Sequence, residues 1–209
     1  HTDLYDILGI TVVAGNVSLE KVSRNARMIC EMSNRFDIPV YEGCDSPFDI
    51  PLVTAEEVHS DEGLEGIEVF EPEIKAQDKH AVDFIIDTLM AAESGEITLI
   101  PTGPLTNIAS AIEKEPLIID KISEIVMMGG ALREGGNVTP SAEFNIFVDP
   151  KAAQIVFSSK CKITVFGLDV THQVLSSVEV LERIGTIENK VAQSAYNLLT
   201  CYGRYDAEK

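Results

Sequence analysis

What this sequence lacks narrows its function before any motif is read. Basic residues are scarce, with 16 Lys and Arg against 34 Asp and Glu and a formal net charge of −18. That balance repels a phosphate backbone, so nucleic acid is set aside as a partner. No apolar run approaches the roughly 18 to 20 residues that a membrane span needs, and no membrane partner is expected. A basic stretch followed by an apolar core and a small-residue cleavage site is also missing. Cysteines are few. Cys30, Cys44, Cys161 and Cys201 are scattered, with no CxxC pair and no histidine at zinc-ligand spacing. They read as free thiols in a reducing, cytoplasmic setting. The glycine-rich run from Gly129 to Gly136 fits neither GxGxxG nor the P-loop pattern, which leaves turn geometry with positive φ as its plainest reading.

What is present is an ordinary folded-domain composition, 45% hydrophobic and 24% charged over 209 residues, enough for one α/β core. Ile7 to Val13 is a short β-branched run ended by Ala14-Gly15-Asn16, the pattern of a buried parallel strand. Ser18 stands as an N-cap before a helix reaching Phe36, and Ile38 to Tyr41 forms a second strand. Glu42 to Lys79 is irregular and acidic, a length of loop that points to a functional or mobile segment. Beyond it, His80 opens an amphipathic helix ending near Gly95, Ile97 to Pro101 is a strand, and Ile108 to Glu113 is a helix. Ile122 to Met128 and Ile163 to Leu168 are further strands, separated by a helix that Asp149-Pro150 starts. Helices near Val178 to Ile184 and Ile187 to Tyr205 follow. This alternation predicts α/β with an open, mainly parallel central sheet flanked by helices, in one domain over residues 1–209.

Polar groups gather just after successive strands, at Asn16, Thr102, Gly129 to Asn145, and Asp169 to His172. In a parallel sheet the crevice past the carboxyl ends is where ligands bind. If Glu143-Phe144-Asn145 is extended, Glu143 and Asn145 face one pocket together, and a carboxylate beside a carboxamide suits a hydroxyl-rich ligand. The same triplet serves equally well as a capping network leading into the helix at Pro150. His59, in the acidic loop, reads most simply as a solvated surface histidine, and His80 as a helix cap. For Asp169 and His172, acid/base chemistry is weighed against a buried Asp that binds loop amides with the histidine supporting it from behind. The second reading is preferred.

Several segments then carry a signature. Leu8 to Ser18, His59 to Gly66, Pro101-Thr102-Gly103-Pro104-Leu105-Thr106-Asn107, Met128-Gly129-Gly130, Gly136 to Asn145 and Leu168 to Gln173 resemble the inosine-uridine preferring nucleoside hydrolases, in order and over essentially the whole chain. The resemblance implies the nucleoside hydrolase fold and a calcium-dependent hydrolysis of the ribonucleoside N-glycosidic bond, giving ribose and free base. It implies that Asn16, Asn137, Glu143 and Asn145 hold ribose hydroxyls, that Met128 lines the sugar pocket, and that the Thr102 backbone carbonyl ligates calcium. His59 and Phe144 would flank the base, and the loop around His59 would be a mobile lid. A neutral ribonucleoside substrate needs no cationic clamp, in keeping with the charge balance. Homodimers or homotetramers are expected by the same resemblance.

The family's aspartate-rich DxDxGxDD motif and its later His-Asp pair do not occur among these residues, and Asp3, Asp6 and His172 are not put in their place. The chain is therefore expected to be a piece of a longer enzyme, and no catalytic residue is assigned within it. One carbonyl does not hold calcium without anionic oxygens, so residues 1–209 alone are expected to be inactive. Two alternatives of other classes are an inactive ribose- or nucleoside-binding homologue and a structural subunit.

Overall fold

In a computed structural model the backbone is described for residues 4–207 and the side chains for 4–203. Strand β1 (Ile10–Val12) is followed by helix α1 (Leu19–Met32) and strand β2 (Val40–Glu42). A four-residue helix α2 (Glu56–His59) sits inside the irregular segment, and helix α3 (Ala81–Ala91) ends that segment. Strand β3 (Ile97–Leu99), helix α4 (Thr106–Lys114), a 3-10 turn (Pro116–Asp120) and strand β4 (Ile122–Met128) follow. The chain continues through α5 (Phe144–Phe147), α6 (Pro150–Ser158), β5 (Ile163–Phe166), α7 (Leu168–Thr171), α8 (Val178–Gly185) and α9 (Lys190–Ala207).

Every strand pairing is parallel, as the alternating pattern predicts. β1 pairs with β2, placing Ile10 beside Val40 and Val12 beside Glu42. β3, β4 and β5 form a second sheet in that order, with Met128 of β4 beside Phe166 of β5. Parallel strands need crossover helices, and these helices cover the sheets with apolar faces. The larger core joins Ile85 and Leu89 of α3, Ile108 and Ile112 of α4, Ile125 and Met127 of β4, and Val156 of α6. A smaller one joins Val12, Cys30, Ile38 and Val40 around β1, β2 and α1. Tyr41 extends it, stacking on Phe84 of α3 with ring centroids 3.8 Å apart. All four cysteines are free thiols.

The boundaries differ from expectation where a local bond decides them. α1 stops at Met32, four residues before Phe36, because Asn34 adopts φ 55°. Asn34 N–H then donates to the Glu31 carbonyl at 2.9 Å and Arg35 N–H to the Cys30 carbonyl at 2.8 Å, a left-handed closure that satisfies the last carbonyls. Ser18 occupies the N-cap position, yet its hydroxyl makes no capping bond. β1 is shorter than the apolar run, since Ile7 and Leu8 are exposed and lie outside the ladder. His80 and Asp149 cap as expected, through Val82 N–H and Ala152 N–H. Gly130 and Gly135 have φ of 76° and 83°, the turn geometry read from the sequence.

Candidate functional site

The carboxyl ends of β3 and β4 are brought together by one buried side chain. Asn145 sits on the first turn of α5 and its Nδ2 donates to the Thr102 carbonyl at 3.3 Å and the Met128 carbonyl at 3.1 Å, with Met128 Sδ at 3.2 Å. Thr102 follows β3 and Met128 ends β4, so a single carboxamide spans both strand ends. Its donor side is committed to the protein, which leaves Oδ1 as the acceptor to offer a ligand.

Glu143 is 3% exposed and supports this arrangement. Its Oε2 accepts from Gly130 N–H at 2.8 Å and from Asn145 N–H at 3.0 Å, making it the N-cap of α5. The extended triplet is therefore not what forms. Glu143 itself is extended at φ −85° and ψ 148°, and the chain turns helical at Phe144. The capping reading holds, with one Glu143 oxygen capping α5, and Glu143 also stays beside Asn145 in the chain turn. Asn137 joins the same cluster, its Oδ1 accepting from Phe144 N–H at 2.9 Å, so its amide donor side is the free one. Phe144 is half-buried at the start of α5.

Asn16 lies past the end of β1, with its backbone carbonyl accepting from Ala55 N–H at 2.8 Å. Its neighbour Gly15 packs on Pro104, two residues beyond Thr102, so the β1 end meets the β3 turn. His59 is placed by a different part of the chain from the Asn145 cluster. It ends α2, is half-buried, and stacks on Tyr202 of α9 with centroids 5.9 Å apart and planes at 20°. The solvated surface reading is corrected here, because a ring packed on a helix is not recognisable from an acidic loop sequence. Burial holds the imidazole's pKa below its usual value, which favours the neutral ring.

The acidic segment after α2 is strapped to α1. Arg24 pairs with Glu62 at 2.6 Å, and Asn25 Nδ2 donates to the Glu62 carbonyl at 2.7 Å. Farther along, Arg27 reaches Glu71 at 3.1 Å and the Ile74 carbonyl at 3.0 Å, while Glu31 Oε2 accepts from Glu73 N–H at 2.7 Å. About two turns of α1, from Arg24 to Glu31, thus hold the loop between Glu62 and Ile74.

Asp169 binds loop amides as the plainer reading has it, but it is only half-buried and His172 is bonded to Glu134 instead of supporting it. The Asp169 carboxylate accepts from Leu132 N–H at 2.7 Å and Arg133 N–H at 2.8 Å, and these backbone bonds draw its pKa below the ordinary carboxylate value. His172 lies beside Glu134, Nδ1 to Oε2 at 3.2 Å. Both residues fix the loop that leads to Asn137. A pair missed in the sequence is Thr106 and Asn107, read there only as the turn into α4. Thr106 Oγ1 donates to the buried Asp149 carboxylate at 2.7 Å, and the Asn107 carboxamide is also buried and doubly bonded. Two polar residues next to each other at a helix start were the available signal.

A calcium ion needs several hard oxygens, anionic ones among them. Thr102 offers one carbonyl, already shared with Asn145, and among the described residues no group of three His, Cys, Asp or Glu is placed to hold a metal. These residues do not by themselves form a calcium cage. Among the described residues no helix is long and apolar enough to cross a membrane.

The Asn145 and Asn137 carboxamides and the buried Glu143 carboxylate thus gather near the carboxyl ends of β3 and β4, the end of a parallel sheet where α/β proteins bind small molecules. The comparisons with known proteins narrow that class. The chain belongs to the inosine-uridine preferring nucleoside hydrolase family, whose model matches residues 1–209. It is 41% identical over 199 residues to an inosine-uridine preferring nucleoside hydrolase of Crithidia fasciculata, covering 94% of this chain and 62% of that protein. It is 48% identical over 180 residues to a pyrimidine-specific ribonucleoside hydrolase of Escherichia coli O157:H7, covering 86% and 56% respectively. Among solved structures, a purine-preferring ribonucleoside hydrolase from Gardnerella vaginalis superposes with a TM-score of 0.91 at 35% identity, over 97% of this chain and 66% of that one. The chain thus spans 56% to 66% of the length of these three relatives.

Proposed function

We propose that the protein to which these residues belong hydrolyses the N-glycosidic bond of ribonucleosides of the inosine and uridine type, giving ribose and free base. The observation that carries this reading is the Asn145 carboxamide joined to the Thr102 and Met128 carbonyls with Glu143 buried beside it. Family membership supports the substrate class.

In this reading Asn145 Oδ1 accepts from one ribose hydroxyl, Glu143 accepts from another, and the free Asn137 amide donates to a hydroxyl oxygen. Asn16 closes the sugar pocket from the β1 side and Met128 lines it. Phe144 and His59 flank the base, a neutral imidazole being suited to stacking, with the strapped acidic loop as the cover. The Asn145 donor bonds hold its acceptor in place before substrate arrives, so little reorganisation accompanies binding. A bound calcium ion would lower the pKa of a water and gather the sugar's oxygens. Thr102 would give it one carbonyl, the remaining ligands coming from other parts of the protein.

The test is ribose release from inosine and from uridine by the complete protein, with and without a calcium chelator. Hydrolysis that the chelator abolishes is expected. Nucleoside binding that persists in chelator with no ribose formed would select the binding homologue instead.

A further inference from the structure

We infer that Asn107 is a positioning residue that fixes the β1 side of the sugar pocket relative to the Thr102 turn, an inference that rests on the nucleoside reading of that pocket. No strand pairing joins the β1–β2 sheet to the β3–β4–β5 sheet among the described residues. Beside the Tyr41–Phe84 stack, side-chain bonds at the start of α4 join the two. Asn107, 4% exposed, donates from Nδ2 to the Val12 carbonyl at 2.9 Å and accepts at Oδ1 from Cys44 N–H at 2.8 Å. The Cys44 carbonyl in turn accepts from Ala14 N–H at 3.0 Å. Val12, Asn107, Cys44 and Ala14 therefore close a ring of hydrogen bonds around the carboxyl ends of β1 and β2.

The ring lies between two walls of the candidate pocket. Asn16 is two residues beyond Ala14, and Thr102 is five residues before Asn107 through a turn whose Pro104 packs on Gly15. A carboxamide is required here because one end must donate to a carbonyl and the other accept from an amide, which neither Asp nor Leu provides. Gly43 shows independently that the fold reserves this space. A Cβ at Gly43 would overlap both Oδ1 and Nδ2 of Asn107, and its backbone has no positive φ to demand glycine for another reason. The absent side chain at 43 makes room for the carboxamide at 107.

Two substitutions test the ring from opposite sides in the complete protein. Asn107→Asp keeps the shape and the Cys44 bond but sets an acceptor against the Val12 carbonyl. Gly43→Ala leaves Asn107 intact and displaces its flexible end. Each should lower kcat/KM for inosine and uridine by about tenfold or more, mainly through KM, as expected when a binding wall moves and the chemistry stays. Each should also speed amide exchange at Ala14 and Cys44 while leaving residues 125–128 of β4 protected. The double variant should be no worse than Asn107→Asp alone, since both act on one ring. Lower melting temperatures with unchanged KM, or losses that add in the double variant, would overturn the assignment. If Asn107→Asp fails to fold, Gly43→Ala carries the same readouts. A wild-type protein that hydrolyses no nucleoside would count against the proposed function, and the exchange pattern would still decide whether the ring holds the two walls.

Discussion

At the scale of single residues, the account turns on buried polar groups that are already partnered. Asn145 is the clearest, because truncating it frees two strand-end carbonyls and would remove the acceptor proposed to meet a ribose hydroxyl. Asn145→Ala in the complete protein should reduce kcat/KM for uridine by about 100-fold or more, and Glu143→Gln should do so by a smaller factor because it keeps the shape. Normal turnover and affinity in both would remove these residues from the sugar pocket. Asp149 is 1% exposed and holds Thr106 Oγ1, Ala152 N–H and Phe48 N–H, yet it belongs to no proposed contact with substrate. Asp149→Ala should cost about 3 kcal/mol in denaturant unfolding, from a lost cap and unpartnered donors. A cost under about 1 kcal/mol would mean the site relaxes around the gap. His59 supplies a pH test. Its folded pKa is depressed by burial, so the contribution of its neutral ring is present above the unfolded value of about 6.5 and is lost as pH falls through the folded value. An NMR titration should give His59 a pKa below that of a free imidazole, and a raised value would contradict the packed ring.

Elements were legible in the sequence wherever apolar spacing or a cap residue decided them. The Asp149-Pro150 start of α6 and the His80 start of α3 formed as read, and the five strands alternate with helices in the expected order. Periodicity failed at the end of α1, where Phe36 continues the apolar spacing but Asn34 turns left-handed first. Asn34→Gly should leave thermal stability unchanged or slightly raised, while Asn34→Val should lower it, because a β-branched residue resists φ of 55°. The α2 helix and its contact with α9 were not legible, since four residues carry no period and the partner Tyr202 is distant in sequence. The sugar-pocket cluster was half legible. The residue types were evident, but whether Glu143 faced a pocket or capped a helix depended on backbone angles that the triplet alone does not specify. Asn107 was invisible for a related reason, because its partners at Val12 and Cys44 lie in other elements.

For the whole molecule, Asn145 joins the ends of β3 and β4 and Gly15 packs on Pro104 to bring the β1 end to the same turn, in a chain of formal net charge −18. In the proposed reading the described residues would supply the sugar-facing part of a nucleoside pocket and, at Thr102, one carbonyl for a cation. The proposed hydrolysis would then depend on pairing this part of the fold with the remaining donors in the complete protein. The measurement that tests this most directly is ribose release from inosine and uridine by the complete protein and its Asn145→Ala variant, across a calcium titration after chelation. The account predicts wild-type turnover that rises with added calcium and a variant that stays at least about 100-fold less efficient at saturating calcium. Turnover that is indifferent to calcium, or a variant that matches the wild type, would contradict it.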